Sequence, residues 1–457
     1  MRVHEFVDGG LGHSSFLVDL GHGLAAIIDP PRFPTAHEQL AGTHGLRTAW
    51  TIDTHSHADY VTGSPGLVAR SGATFIAPAM SRLETLHQPV IDGEHIALAP
   101  GLLLTVMATP GHTPDHHAYL LEDNGTPVAL FSGGSLMVGT VGRTDLCGPD
   151  LAEPLAREMF RGLRRFDALP DELRLYPTHG AGSFCSAPGS GNRTSTLGIE
   201  RTTNTLFREH NEDRFVEQLL GGFGTYPPYF NRLPEMNRRG PARFDTIPQL
   251  TNLIPDDIER VIASGGVVLD ARPVHHFAGA HIPGSISNAF RPVFASWTGW
   301  LIDPSRPLVL VLDLDQSCDD AVRQCLDIGH EQFAGVLLGG IDAWKASGRP
   351  VRAIDLVDAS QLHRNIVDVR QTNEYATGHV PGAVNVELGK VSTSVLDPER
   401  WTVMCGHGER AMTAASILAN RGYDVNVFDG GPDTWAKATG RALAVGFIAG
   451  GPAADGL

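Results

Sequence analysis

Basic charge is what this sequence is short of. Its 35 lysines and arginines stand against 51 aspartates and glutamates, a formal net charge of −16 with histidine neutral. That balance argues against nucleic acid or an anionic membrane as a partner. Cysteine is scarce too. The 5 in 457 residues are widely spaced and suggest no disulfide framework, so reduced thiols are expected. No apolar run reaches the roughly 20 residues needed to span a bilayer. The opening MRVHEFVDGGLGHSS lacks the basic-then-apolar layout of a secretion signal, and the expected location is the cytoplasm. What is there is a globular composition, 42% hydrophobic and 19% charged. A prior of roughly 150 residues per domain divides this length into about three domains.

An internal repeat organises the second half. VVLDARPVHHFAGAHIPGSISN from Val267 recurs as NIVDVRQTNEYATGHVPGAVNV from Asn365, and LLGGIDAW ending at Trp344 recurs as FDGGPDTW ending at Trp435. Asp270, Arg272, His281, Pro283 and Gly284 map onto Asp368, Arg370, His379, Pro381 and Gly382. Each unit alternates short apolar strands with helical stretches, which reads as a parallel α/β module. The expected boundaries are 250–352 and 353–445, with 446–457 as a tail. Residues 1–245 differ in kind: they are rich in strand-like runs, and histidines gather at the ends of those runs. YPPYFNRLPEMNRRGPARF from Tyr226 reads as the connector.

Those histidines point to a metal. THSHADY follows the strand-like AWTID, so His55 and His57, two apart on a loop, can converge on one ion, with Asp59 close enough to join. His112 in TPGHTPDH and His179 in YPTHG stand in similar turn-like contexts. Histidines at loop tips are hard to explain as core packing.

The segment resembles the metallo-β-lactamase fold, an αββα sandwich, and within it the persulfide dioxygenase and glyoxalase II branch. The motif T-H-x-H-x-D-H stands here as THSHADY, with Tyr60 for the last histidine. P-G-H-T is intact at Pro110 to Thr113, and G-R-T-D at Gly142 to Asp145. F-T-G-D-x-L has become FSGGSL, so Gly134 replaces the aspartate. HGAGSFC from His179 and TSTLGIERTTN from Thr194 resemble the subgroup fused to rhodanese modules. The resemblance implies one Fe(II), or zinc, held by His55, His112 and a carboxylate at position 134, which glycine cannot supply. Three outcomes stand open: an empty or weakly occupied site, a site rescued by Asp59 with His57 or His179, and a two-histidine iron site completed by water. Dinuclear hydrolysis is disfavoured by Tyr60 and Gly134. The resemblance also implies contacts from Arg143 and Tyr176 to a glutathione-like thiol substrate, a guanidinium being suited to a carboxylate. An Arg143–Asp145 salt bridge is the competing reading.

The repeats resemble rhodanese domains, doubly wound α/β modules that carry sulfane sulfur on a cysteine. The loop after WTVM reads Cys405-Gly406-His407-Gly408-Glu409-Arg410, a match to C-x-x-G-x-R. Such a loop turns backbone N–H groups inward at the head of a helix and stabilises an anion, here a thiolate or persulfide. Gly408 permits the tight backbone, Arg410 adds positive charge, and His407 is a candidate substrate contact. In the first repeat the corresponding loop is Asp313-Leu314-Asp315-Gln316-Ser317-Cys318-Asp319-Asp320, whose carboxylates repel a thiolate. That repeat is expected to be catalytically silent. Cys325 is expected to face the core, and Cys185, near the metal-site loops, to be structural. The expectation is a three-domain sulfurtransferase acting through Cys405 on persulfides, thiosulfate, sulfite or thiols, assembled as a homo-oligomer. Its rivals are a rearranged iron persulfide dioxygenase and a non-catalytic persulfide-binding scaffold.

Overall fold

A computed structural model describes residues 1–185, 191–362 and 365–446. All but the first residue of the expected 446–457 tail lies outside the described residues. The chain forms two compact units: Met1–Ile247 with Arg323–His330, and Pro248–Val322 with Glu331–Leu457. Among the described residues no helix is long and apolar enough to cross a membrane.

The first unit is a sandwich of two six-stranded sheets. One runs in the order Arg2–Asp8, His13–Gly21, Leu24–Ile28, Arg47–Ile52, Thr74–Pro78, Gln88–Val90. The other runs Ser195–Thr196, Arg174–Pro177, Thr126–Gly133, His117–Asp123, Leu102–Ala108, His95–Ala99. Side chains alternate between the two faces of a strand, and this sequence exploits the alternation. Phe16, Val18 and Leu20 enter the core between the sheets, while Leu17 packs outward with Ala41 and Leu67 of the helices Thr35–Thr43 and Ser64–Ser71. On the second sheet Tyr119 and Leu121 face inward, while Ala118 and Leu120 meet Ala156, Met159 and Phe215 from the helices Pro149–Arg164 and Glu212–Gly221. The result is the αββα layering. His55, His112 and His179 all sit on loops that leave the ends of strands in these two sheets.

The second unit holds two five-stranded parallel sheets of the same order. The first runs Asn252–Leu253, Phe333–Leu337, Leu308–Val311, Val267–Asp270, Ile286–Ser287. The second runs Leu356–Val357, Val425–Phe428, Trp401–Met404, Ile366–Asp368, Val384–Asn385. The central strands Leu308–Val311 and Trp401–Met404 are buried at every residue, as helices on both faces demand. The repeated D-x-R also has a structural reason. Arg272 and Arg370 each fork onto the aspartate two residues earlier and reach on to a carbonyl, that of Ala280 or Gly378. The strand end is thereby tied to the turn before H-[IV]-P-G.

The repeats share apolar packing. Phe277, Ala278 and Trp297 of the first belong to one core with Val403, Cys405 and Leu418 of the second. Ser287 N donates to Ser416 Oγ at 3.1 Å, and Asn420 Nδ2 donates to Ser285 O at 3.1 Å. Gly389 lies so close to Trp300 that an added Cβ would fall 1.8 Å from Nε1.

Candidate functional site

Three imidazoles converge in the first unit. The rings of His55 and His112 lie 4.9 Å apart, those of His112 and His179 5.1 Å, and those of His55 and His179 5.3 Å. Two of their outer nitrogens are hydrogen-bonded, and the third lies near a carboxylate. His112 Nδ1 donates to Arg143 O at 2.8 Å, and His55 Nδ1 donates at 2.8 Å to Thr54 Oγ1, whose own proton goes to Asp29. His179 Nδ1 faces Asp59 Oδ2 at 3.2 Å. Each Nε2 is therefore left with a lone pair directed into the cluster. His112 Nε2 is buried without a hydrogen-bond partner, and the Nε2 atoms of His55 and His179 lie 3.3 Å apart. Burial, then neighbouring imidazoles, hold His55 neutral and push His112 down to about 3.

His55, His57 and His179 can each present one nitrogen within 4.8 Å of the others, and so can His112 and His179 with the sulfur of Cys185, a spacing that suits a metal ion. Three imidazoles on a tetrahedral ion, bound at about 2.0–2.1 Å, place their nitrogens about 3.3 Å and ring centres about 5 Å apart. Outer nitrogens tied to a carbonyl and a hydroxyl, with a carboxylate beside the third, are the kind of support such ligands receive. The ligand set that a second ion would use at positions 60 and 134 is altered. Tyr60, where a ligand histidine would stand, is fully buried, and its hydroxyl donates to Asp29 O at 3.1 Å. Burial and then Asp29 push its pKa well up, so it stays a neutral phenol. Gly134 offers no ligand, and an added Cβ would lie 2.3 Å from His112 Cδ2.

The remaining sequence candidates differ in their places. His57 stays with the cluster: its ring centre is 4.3 Å from that of His55, and it offers a nitrogen within 4.8 Å of those of His55 and His179, while its Nε2 lies 3.1 Å from Asp29 Oδ1 and 3.0 Å from Tyr60 Oη and its Nδ1 is buried without a partner. Burial opposes charge on His57, but Asp29, with Asp53 and Asp59, raises its pKa above the ordinary value. Asp59 supports His179 rather than swinging in as a ligand. Arg143 is not an open fork for substrate. Nε and Nη2 grip Asp145 at 2.6 and 2.8 Å, while Nη1 and Nη2 also take the carbonyls of Phe184 and Gly224. The competing salt-bridge reading describes it. Tyr176 is a core residue between the sheets, its ring 5.4 Å from Phe16 and 5.3 Å from Phe131.

Sequence reasoning passed over His116 and underread Cys185. His116 Nε2 accepts from Gly134 N at 2.8 Å, and its other nitrogen engages Thr109 Oγ1, so it fixes the backbone at the altered position. Its signal was the first histidine after P-G-H-T, three residues past Thr113. Cys185 Sγ and the ligating nitrogens of His112 and His179 lie within 4.8 Å of one another. Its signal was its place at the end of HGAGSFC.

In the second unit, Cys405 follows the strand Trp401–Met404 and is 1% exposed. Gly408 N donates to its Sγ at 3.1 Å, and the helix Glu409–Asn420 begins at once. Gly408 has φ +102°, a left-handed backbone suited to glycine. Gly431 of the G-G-x-x-x-W segment presses on the loop, and a Cβ there would meet Gly406 O at 2.1 Å. Arg410 sits beside the thiol but is paired with Glu374, and His407 is exposed. The corresponding loop of the first repeat closes on itself. Gln316 Oε1 accepts from Asp313 N at 2.8 Å and its Nε2 donates to Ala271 O, while Asp313 Oδ2 pairs with His276. Burial and Asp319 push the Cys318 thiol up. Cys325 is fully buried.

Residues 254–347 and 350–438 match the family model for the rhodanese-like domain. The first half of the chain is similar to hydroxyacylglutathione hydrolases. That of Halorhodospira halophila (strain DSM 244 / SL1) is 32% identical over 168 residues, 37% of this chain and 57% of the relative. That of Pseudomonas entomophila (strain L48) is 29% identical over 220 residues, 42% of this chain and 80% of the relative. The chain thus spans little over half the length of the first of these relatives. Among solved structures, a metallo-beta-lactamase from Staphylococcus aureus subsp. aureus COL superposes with a TM-score of 0.66 at 27% identity, covering 74% of this chain and 98% of that one.

Proposed function

We propose that this chain, a metallo-β-lactamase-fold domain related to hydroxyacylglutathione hydrolases followed by two rhodanese-like domains, is a sulfurtransferase of sulfane-sulfur metabolism working through a persulfide on Cys405. The observation that carries the reading is the Cys405 cradle: Sγ receives Gly408 N at 3.1 Å at the head of a helix. Backbone donors and a positive helix end favour anionic sulfur bound there.

The Cys405 thiolate attacks the outer sulfur of a persulfide or thiosulfate. A new S–S bond forms, the donor's S–S bond breaks, and a thiolate or sulfite leaves with the bonding pair. An acceptor thiolate, sulfite or cyanide then attacks the outer sulfur of the Cys405 persulfide and restores the thiolate. The first repeat, with Asp313 where the second has Cys405 and without an open cradle, serves to support the second. Sulfur transfer from thiosulfate to cyanide should vanish in Cys405→Ser while the fold survives; a variant of undiminished activity sinks the proposal.

The three converging imidazoles favour a second reading for the first domain, oxidation of a low-molecular-weight persulfide at one iron. His55, His112 and His179 would hold the ion, which when bound supplies Lewis acidity and, as iron, a place for oxygen chemistry. This chain's own contribution is to orient those rings through Arg143 O, Thr54 and Asp59. Oxygen uptake with glutathione persulfide that tracks iron content would support the reading, and iron-loaded protein without uptake would end it.

A further inference from the structure

The metal cluster lacks negative charge. His55, His112 and His179 are neutral donors, and a divalent ion held by them alone would bring its full charge into a buried site, a costly arrangement. Position 134 cannot help. Asp59 is buried and lies on the far side of His179, facing its Nδ1.

Cys185 stands where an anionic ligand is needed. It is fully buried, and its backbone is pinned on both sides: Arg143 N donates to Cys185 O at 3.0 Å, and Cys185 N donates to Ser183 Oγ at 3.1 Å. The Arg143 segment that fixes Cys185 also fixes His112, since Arg143 O receives His112 Nδ1. The sulfur and the ligating nitrogens of His112 and His179 lie within 4.8 Å of one another, and His112 Nε2 is buried with nothing bonded to it. His55 Nε2 is 3.3 Å from His179 Nε2 on the same cluster.

We propose that Cys185 supplies, as a thiolate, the anionic ligand lost at Gly134, completing with His112 and His179, beside His55, a site for one thiophilic divalent cation. Sulfur donates a lone pair to the ion, the S–H proton passes to solvent, and nothing is oxidised or reduced. Imidazole with thiolate selects zinc, cobalt or ferrous iron over magnesium or calcium. Because the ligand is the deprotonated thiolate, binding should release a proton and weaken as pH falls. The inference is independent of the Cys405 reading.

The test is cobalt(II) titration of the full chain under anaerobic conditions, followed by absorption. An intense near-ultraviolet thiolate-to-cobalt band should accompany one equivalent of metal, in the wild type and equally in Cys405→Ser. Cys185→Ser should lose the band and bind cobalt about tenfold or more weakly against a competing chelator. Cys185→Asp should recover affinity without the band. His112→Ala should lose the band with Cys185 still present, which keeps the test decisive if Cys185→Ser does not fold. Cobalt bound without a thiolate band, a band that survives Cys185→Ser, or no cobalt bound at all would each overturn the proposal.

Discussion

Arg410 forks onto both oxygens of Glu374, Nη1 at 2.6 Å and Nη2 at 2.8 Å, beside the candidate nucleophile Cys405. Burial alone would raise the Glu374 pKa, but Arg410 outweighs it and holds the carboxyl below its usual range. The positive charge of the C-x-x-G-x-R loop is thus balanced by a residue on the helix Thr372–Thr377, well separated in sequence. Glu374→Gln should leave Arg410 uncompensated. The expected result is a severalfold lower KM for thiosulfate, with a steeper loss of that affinity as salt is added. Steady-state transfer to cyanide across ionic strength measures it. A raised KM with unchanged salt dependence would mean that Glu374 serves only to place the guanidinium.

Asp313→Cys puts a thiol at the corresponding position of the first repeat and should create no sulfurtransferase activity in a Cys405→Ser background. The cradle there is already filled, because Gln316 caps Asp313 N and reaches Ala271 O. Adding Gln316→Gly to open the loop is the comparison that separates a missing nucleophile from a blocked cradle.

The first unit should lose stability in mild acid. His37 is 2% exposed, its Nε2 is 2.8 Å from Ser15 Oγ, and its ring centre is 3.8 Å from that of Phe6. Burial, then His13, push its pKa from 6.5 down to about 3. The unfolded chain therefore binds the extra proton between those values. The stabilising effect is full above the unfolded value and is lost as pH falls toward 3. One such histidine contributes a slope of about 1.4 kcal/mol per pH unit. His37→Gln keeps a hydrogen-bonding side chain and removes the proton, so Tm should fall less steeply with acidification than in the wild type.

The parallel modules were legible because buried parallel strands read as continuous apolar runs, and because D-x-R and G-G-x-x-x-W recur at matched positions. The sandwich and its histidine loops were legible through motif spacing. What the spacing could not carry was how each donor is used. In a string of letters Arg143 suits a substrate carboxylate and Asp145 equally, and its fork is occupied by Asp145 and by two carbonyls from distant segments that the letters do not show. Tyr176 falls on the inward face of a strand, a matter of register. The packing of Phe277 and Trp297 against the core around Cys405 joins residues more than 100 positions apart.

Gly134→Asp tests whether the altered position is a simple deletion of a ligand. The residue that would regain a carboxylate is hemmed in. A Cβ at 134 would lie 2.3 Å from His112 Cδ2 and 2.6 Å from Cγ, and Gly134 N is already donated to His116. His112 cannot retreat freely, because its Nδ1 is held by Arg143 O. The aspartate must therefore displace an imidazole as it adds a carboxylate, and overpacking of this kind costs about 1–3 kcal/mol. The expected outcome is a lower Tm for the metal-free variant with no gain in zinc affinity. Tighter zinc binding at unchanged stability would show instead that His112 moves aside at little cost, and that glycine is at 134 for a reason other than space.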